Sequence, residues 1–219
     1  YEFSQHFLLI SKCLSSFESG EKISILEDIL KFYYKKIQHY DCKKLACRRN
    51  CSSRPKLEEI LEICNNKIIL SNKLARCWLL NNFRSLKLNE IKMIIPWLIN
   101  IGLKNYNVFD EIIIPLCTSN TQLSYAFFFE CEFYMSDKIL YHKLNNVMNS
   151  FLKKIDNQIK LSLYKTLDFV KFINENIFLK LSIVKWEREV NKWIQQNGPV
   201  KLPWDSSIEC TGVVPEGIM

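Results

Sequence analysis

From Asn157 to Gln196 the chain contains neither glycine nor proline, and its apolar residues keep a helical spacing throughout. Because these two residues are the strongest breakers of regular structure, the stretch predicts one very long helix or two helices joined end to end. Gly198 and Pro199 predict a sharp stop directly after it. The whole chain has only 5 Gly and 6 Pro in 219 residues, too few for the turns of a β-sandwich or barrel. We therefore expect an all-α fold.

The chain before this stretch predicts shorter amphipathic helices separated by polar turns. One-sided apolar stripes are buried when helices stack in antiparallel pairs, so the sequence favours an α-solenoid-like stack. Pro96 is expected to kink one helix and Gly102 to end it. The expected helices cover residues 3–17, 23–40, 57–64, 72–83, 89–102, 110–116 and 121–135, and another follows Ser136 or Asp137, with caps at Asn72, Asn89, and Ser119 or Asn120.

Composition excludes several classes of protein. With 48% hydrophobic and 24% charged residues, the chain has the composition of an ordinary globular protein. Its apolar runs are too short to span a bilayer. The nine cysteines are scattered through expected helices, which favours reduced thiols in a cytosolic protein. Because the chain opens on Tyr1 and breaks off at Met219 without a terminating signal, we expect an internal piece of a larger protein.

Residues 41–54 form a basic stretch with almost no apolar periodicity, which predicts an exposed loop. A metal site built from three cysteines and a histidine is an alternative, but the C-x4-C-x3-C spacing differs from paired zinc knuckles. Nucleic-acid binding is another, and the loop lacks the interleaved aromatics of a stacking platform. The metal candidates are His39, Cys42, Cys47 and Cys51, and the cationic candidates are Lys43, Lys44, Arg48 and Arg49.

No catalytic constellation is recognisable in the sequence. The three histidines lie in helical patterns without ligands at zinc spacing, and no glycine-rich phosphate loop or kinase catalytic loop occurs. The acidic pairs fall on expected helices, where solvated faces and salt bridges are the simpler interpretation. We therefore expect no catalytic, cofactor-binding or metal-binding residue in this chain. The residues considered are His6, His39, His142, Glu58, Glu59, Glu130 and Glu132.

After Pro199 the pattern changes to short alternating segments, which predict extended chain and turns. The run from Leu202 to Glu216 closely resembles the segment that leads from the helical domain into the kinase domain of class III phosphatidylinositol 3-kinases. The family pattern is Leu-Pro-Leu, an acidic or small residue, Pro, and alternating residues up to Gly-Ile-Ile-Pro-Glu. The matching residues are Leu202, Pro203, Gly212, Val213, Val214, Pro215 and Glu216, with departures at Trp204 and Ser206.

Three upstream segments resemble the same family in the same order. Residues 124–129 are similar to the aromatic helix of the phosphoinositide-kinase helical domain, normally Tyr-Leu-Tyr-Trp-Tyr. Residues 98–104 resemble its Leu-Val-Gln-Ala-Leu-Lys helix, and residues 30–34 its entry helix. The aromatic match consists of Tyr125, Phe127, Phe128 and Phe129, whose adjacency on one helix also predicts a helix buried on several sides.

The resemblance implies an N-terminal helix at 1–20, a helical accessory domain at 21–197, and a linker at 198–219 that begins a kinase N-lobe. The parent protein would phosphorylate the 3-hydroxyl of phosphatidylinositol with ATP and Mg²⁺, and the catalytic loops would lie beyond Met219. Implied partners are its own kinase domain, a Vps15-like pseudokinase, a Beclin-like subunit and phosphatidylinositol membranes. The implied location is cytoplasmic, peripheral to endosomal and autophagic membranes.

Two other interpretations remain open from the sequence. Phosphatidylinositol 4-kinases share a related helical domain, and a stand-alone helical scaffold that binds proteins needs no kinase domain at all. Because Trp204, Val213 and Val214 would lose their cover in an isolated fragment, we also expect such a fragment to be prone to association.

Overall fold

A computed structural model describes residues 57–65, 67–176 and 183–213. The expected helices 3–17 and 23–40, and the basic loop 41–54, lie outside these residues. The described chain is mostly helical, which confirms the all-α expectation. It divides into two compact units, Tyr1–Leu116 and Cys117–Met219, and this division lies inside the expected helical domain 21–197.

The helices follow one another with short connections. In the first unit they are α1 Leu57–Cys64, α2 Lys67–Ser71, α3 Lys73–Phe83, α4 Leu88–Lys104 and the π-helix Phe109–Ile113, and α5 Ile114–Cys117 lies at the boundary between the units. The second unit contains α6 Thr121–Tyr134, α7 Lys138–Lys154, α8 Asn157–Asn176, α9 Ile183–Asn197, β1 Val200–Lys201 and β2 Glu209–Cys210. Helix α1 agrees with the sequence prediction, whereas α2 was not predicted.

The ends of α4 correct two predictions. Asn89 is not its cap, because the helix begins at Leu88 and the Lys87 backbone N–H donates to the Glu90 carboxylate at 2.8 Å. Gly102 does not end it, since the helix continues to Lys104. Gly102 is buried, and a Cβ there would lie 2.7 Å from two ring atoms of Phe109. The glycine therefore permits close packing rather than termination. Pro96 lies within the helix.

The segment predicted as a helix over 110–116 is helical but begins as a π-helix. The Ile114 N–H donates to the Phe109 carbonyl, a wider turn than the α-helical one. Pro115 follows directly; it has no N–H, and its ring would clash with the Glu111 carbonyl in a regular α-helix. The proline therefore gives a physical reason for the wider turn.

In the second unit, both expected caps are present. The Asn120 side chain accepts hydrogen bonds from the backbone N–H groups of Gln122 and Leu123, at 2.8 and 3.3 Å. The Asp137 side chain accepts from Ile139 at 2.7 Å. These two caps fix the starts of α6 and α7, as the sequence predicts.

Helices α8 and α9 are two helices that pack against each other. In one continuous helix Phe169 and Trp193 would lie about 36 Å apart, yet their ring centroids are 5.0 Å apart. Helix α9 ends at Asn197, and Gly198 follows with φ of 80°, a left-handed conformation that favours glycine. Strands β1 and β2 then pair antiparallel, Val200 opposite Cys210. None of the helices in the described ranges is long and apolar enough to span a bilayer.

Candidate functional site

Four of the residues that carry the strongest family resemblance, Leu202, Pro203, Gly212 and Val213, lie on an extended segment that follows the helices of the second unit. We call residues 200–213 the strap. Its first residue, Val200, is buried in an apolar cluster with Phe169, Val190 and Ile194 from α8 and α9. The cluster is extended by half-buried side chains that pack against it: Phe172, Ile173, Trp186, Trp193, Cys210 and Val213. The strap therefore packs on both helices.

A buried hydroxyl fixes the beginning of the strap. Thr166 on α8 is fully buried, and its Oγ1 lies 3.0 Å from the Ser162 carbonyl oxygen and 3.1 Å from the Lys201 carbonyl oxygen. One hydroxyl proton thus serves both acceptors. The Lys201 carbonyl gains a partner from α8 as well as a place in the β1–β2 pair.

Asn191 on α9 binds the end of the strap at two points. Its Nδ2 donates to the Val213 carbonyl at 2.9 Å, and its Oδ1 accepts from the Val213 N–H at 2.8 Å. The side-chain amide thereby presents the same donor and acceptor as a neighbouring β-strand. A Cβ on Gly212 would lie 3.1 Å from Oδ1, so the family-motif glycine allows Asn191 to approach.

The turn between the two strands exposes apolar side chains. Asp205 Oδ1 accepts from the Ser207 backbone N–H at 3.0 Å and from its hydroxyl at 2.6 Å, which fixes the turn. Trp204 is 68% exposed and Ile208 is 49% exposed. Trp204, one of the two departures from the family pattern, therefore lies on the surface of this unit.

The other family-motif residues are divided between core and surface. In α6, Tyr125, Phe127 and Phe128 are buried and Phe129 is half-buried, which confirms a helix buried on several sides. The Tyr125 and Ser162 hydroxyls are 2.6 Å apart, and the Phe127 and Phe151 ring centroids are 5.0 Å apart. Through these contacts α6 packs against α7 and α8. Leu202 and Pro203 are half-buried on the strap, and Val214, Pro215 and Glu216 lie outside the described residues.

The first unit contains a buried ion pair that the sequence analysis missed. Arg76 on α3 is 4% exposed, and its Nε and Nη2 donate to the two carboxylate oxygens of Glu111, each at 3.0 Å. Its Nη1 donates to the carbonyl oxygens of Leu70 and Ser71 at 2.6 and 2.8 Å. The guanidinium thus connects the end of α2 to the π-helix. All of its partners are structural, which assigns it to stability rather than chemistry.

Burial raises the pKa of several titratable groups in the second unit. Burial raises the pKa of Glu130 and of Glu132, and the Lys171 ammonium partly offsets the rise at Glu132. These carboxyls are half-buried, more enclosed than the solvated faces predicted for them. Burial also raises the pKa of the Cys117 and Cys131 thiols, which favours the protonated, unreactive form.

Within the described ranges, no group of three or more histidine, cysteine, aspartate or glutamate side chains could bind a metal ion. His142 is exposed on α7, while His6, His39 and the cysteines at 42, 47 and 51 lie outside those ranges. The cysteines described by the structure, Cys64, Cys77, Cys117, Cys131 and Cys210, are free thiols.

The sequence offered weak signals for the residues that fasten the strap. Asn191 lies next to the buried Val190 and three residues before the buried Ile194, so a polar residue there borders the apolar face of its helix. Thr166 likewise lies three residues before Phe169. A polar residue at such a position has to find a hydrogen-bond partner, but the sequence does not identify that partner.

No protein-family model, curated protein or solved structure matches the chain. The described residues form a helical module in which an extended segment, the strap, packs on α8 and α9.

Proposed function

We propose that the chain is the helical scaffold portion of a class III-type phosphatidylinositol 3-kinase, whose parent protein transfers phosphate from ATP to the 3-hydroxyl of phosphatidylinositol. The observation that carries the proposal is the fastened strap. Residues that resemble the linker into the kinase domain occur where the helices end, and Asn191 fixes their backbone at Val213 by hydrogen bonds of 2.9 and 2.8 Å.

The placement of the motif residues supports this proposal physically. Packing explains why three of the motif positions carry the residues they do. The missing Cβ of Gly212 lets Asn191 approach the strap, and the buried rings of Phe127 and Phe128 pack α6 into the core. A scaffold that positions a catalytic lobe needs a defined path for the chain that leads into that lobe, and the Asn191 hydrogen bonds define that path in the closed strap. The packing of α8 against α9, with the Phe169 and Trp193 ring centroids 5.0 Å apart, is compatible with a solenoid-like stack of helical pairs.

The remaining features of the parent belong to the same proposal. Residues 198–219 are the linker and the start of the kinase domain, and ATP and Mg²⁺ bind beyond Met219 rather than to this chain. The helical surface contacts the parent's own kinase domain, a Vps15-like pseudokinase and a Beclin-like subunit. The parent works in the cytoplasm on endosomal and autophagic membranes that contain phosphatidylinositol.

A lipid kinase assay tests the proposal directly. The 219-residue chain and the product of its full reading frame are incubated in parallel with phosphatidylinositol vesicles, ATP and Mg²⁺, and the products are separated by head-group position. We expect phosphatidylinositol 3-phosphate from the full product alone. Phosphatidylinositol 4-phosphate would replace the assignment with a 4-kinase, and no phosphoinositide from either sample would leave a stand-alone protein-binding scaffold.

A further inference from the structure

The two ends of the strap are fastened in different ways. At its beginning, Val200 is 1% exposed and the Lys201 carbonyl accepts from the fully buried hydroxyl of Thr166. At its end, Thr211 and Gly212 are exposed and Val213 is half-buried. Because local stability follows burial of backbone hydrogen bonds and apolar contacts, the beginning of the strap is the more stable of the two.

The fastening at the end depends on the backbone of the strap. Asn191 contacts the N–H and the carbonyl of Val213 rather than a distinctive side chain. Both hydrogen bonds come from one half-buried amide, so water can replace them one after the other when the strap moves. Gly212 contributes by having no Cβ, since a methyl group there would press on Oδ1 at 3.1 Å.

The end of the strap packs against the apolar cluster of α8 and α9. Cys210 and Val213 lie against the buried cluster that contains Phe169, Val190 and Ile194, and half-buried Phe172, Trp186 and Trp193 pack on the same cluster. Phe172 and Trp193 stack with ring centroids 6.1 Å apart. Moving residues 210–213 away would therefore expose apolar surface of this cluster.

We propose that the strap is a hinged cover. It stays attached at Val200 and Lys201, opens from the Val213 end when the Asn191 hydrogen bonds break, and uncovers apolar surface of α8 and α9. This is a conformational device of the second unit, and it does not depend on the lipid-kinase assignment.

Amide hydrogen exchange on the 219-residue chain, resolved to single residues, tests the order of opening. In the unaltered chain we expect the Val213 amide to exchange faster than the Leu202 amide, which donates to the Ile208 carbonyl at 3.1 Å. Asn191→Ala should speed Val213 exchange roughly tenfold, as expected for the loss of one or two net hydrogen bonds. Leu202 exchange should stay within about twofold, because its own hydrogen bond is retained.

Two further variants keep the test decisive. Gly212→Ala weakens the same contact from the strap side, so it should speed Val213 exchange even if Asn191→Ala disturbs α9. Thr166→Val is the matched control at the other end, and it should speed exchange around Lys201 and Leu202. Equal acceleration of Leu202 and Val213 in the Asn191 variant, or no acceleration of Val213 in either the Asn191 or the Gly212 variant, would overturn the proposal.

Discussion

In each of the two units a polar side chain fastens backbone, and the fastenings by Arg76 and Asn191 differ in charge and depth. Arg76 is charged, 4% exposed and neutralised by Glu111, and it donates to two carbonyls at the end of α2. Asn191 is neutral and half-buried, and it forms a pair of hydrogen bonds with Val213. A buried charge cannot leave its partners without a large penalty, whereas a half-buried amide exchanges them for water.

This difference separates permanent from reversible attachment. In the first unit the ion pair joins α3 to the π-helix, and loss of the Glu111 carboxylate would leave a buried guanidinium without its counter-charge. In the second unit the hydrogen bonds attach a segment whose last residues are already near solvent. The two side chains differ in burial, and the free-energy cost of leaving a polar group unpaired grows with its burial. The attachment by Arg76 is therefore harder to break than the attachment by Asn191.

The largest expected effect tests the permanent attachment. Glu111→Gln removes the counter-charge of buried Arg76, and we expect it to lower the free energy of unfolding by about 3 kcal/mol. Urea unfolding followed by tryptophan fluorescence measures this. Asp110→Asn, an exposed neighbour on the same π-helix, is the matched control and should change the value by less than about 0.5 kcal/mol.

The double variant Arg76→Met with Glu111→Gln tests whether the two side chains are energetically coupled. If the cost in Glu111→Gln arises from the uncompensated charge, removing that charge as well should restore part of the lost free energy. Additive losses in the double variant would contradict a coupled ion pair and would assign the stability to the carbonyl contacts of Arg76.

A pair of glycine variants compares packing in the two units. Gly102→Ala places a methyl group 2.7 Å from the ring of the fully buried Phe109, so we expect a loss of about 1–3 kcal/mol. Gly212→Ala meets only the Asn191 amide at 3.1 Å, and its effect on the same measurement should stay within about 1 kcal/mol of zero. Similar losses in both variants would remove the proposed distinction between a rigid core and a movable cover.

The smallest expected effect concerns pH and the second unit. Burial raises the pKa of Glu130, so between the ordinary value of about 4.3 and the raised value the folded chain keeps a proton that the unfolded chain has released. The free energy of unfolding should therefore fall as pH rises through this window, by less than about 1 kcal/mol because Glu130 is partly exposed.

Glu130→Gln should remove this component of the pH dependence, as measured by urea unfolding at pH 4, 5, 6 and 7. The exposed Glu175→Gln variant on α8 controls for the change in net charge. A Glu130→Gln profile parallel to that of the unaltered chain would show that the carboxyl does not contribute.

Local sequence signals predicted much of the fold and little of the site. Asn120 and Asp137 cap their helices as expected, because a cap depends on residues within one turn. Gly102 was misread as a helix end, since the Phe109 ring that explains it is brought close only by folding. Arg76 and Asn191 were not identified for the same reason: their partners lie 35 and 22 residues away in the chain.

Asn191 binds the backbone of the strap, and this also constrains which substitutions the strap can accept. Position 213 can accept other apolar side chains that pack on the cluster but cannot become proline, because the amide hydrogen is required. At position 212 a side chain has to displace the Asn191 amide by a few tenths of an ångström, whereas the exposed Thr211 and Glu209 are open to change. A saturation mutagenesis map of the strap should therefore show broad tolerance at positions 209 and 211 and a loss with proline at position 213, as expected where a backbone rather than a side chain is bound.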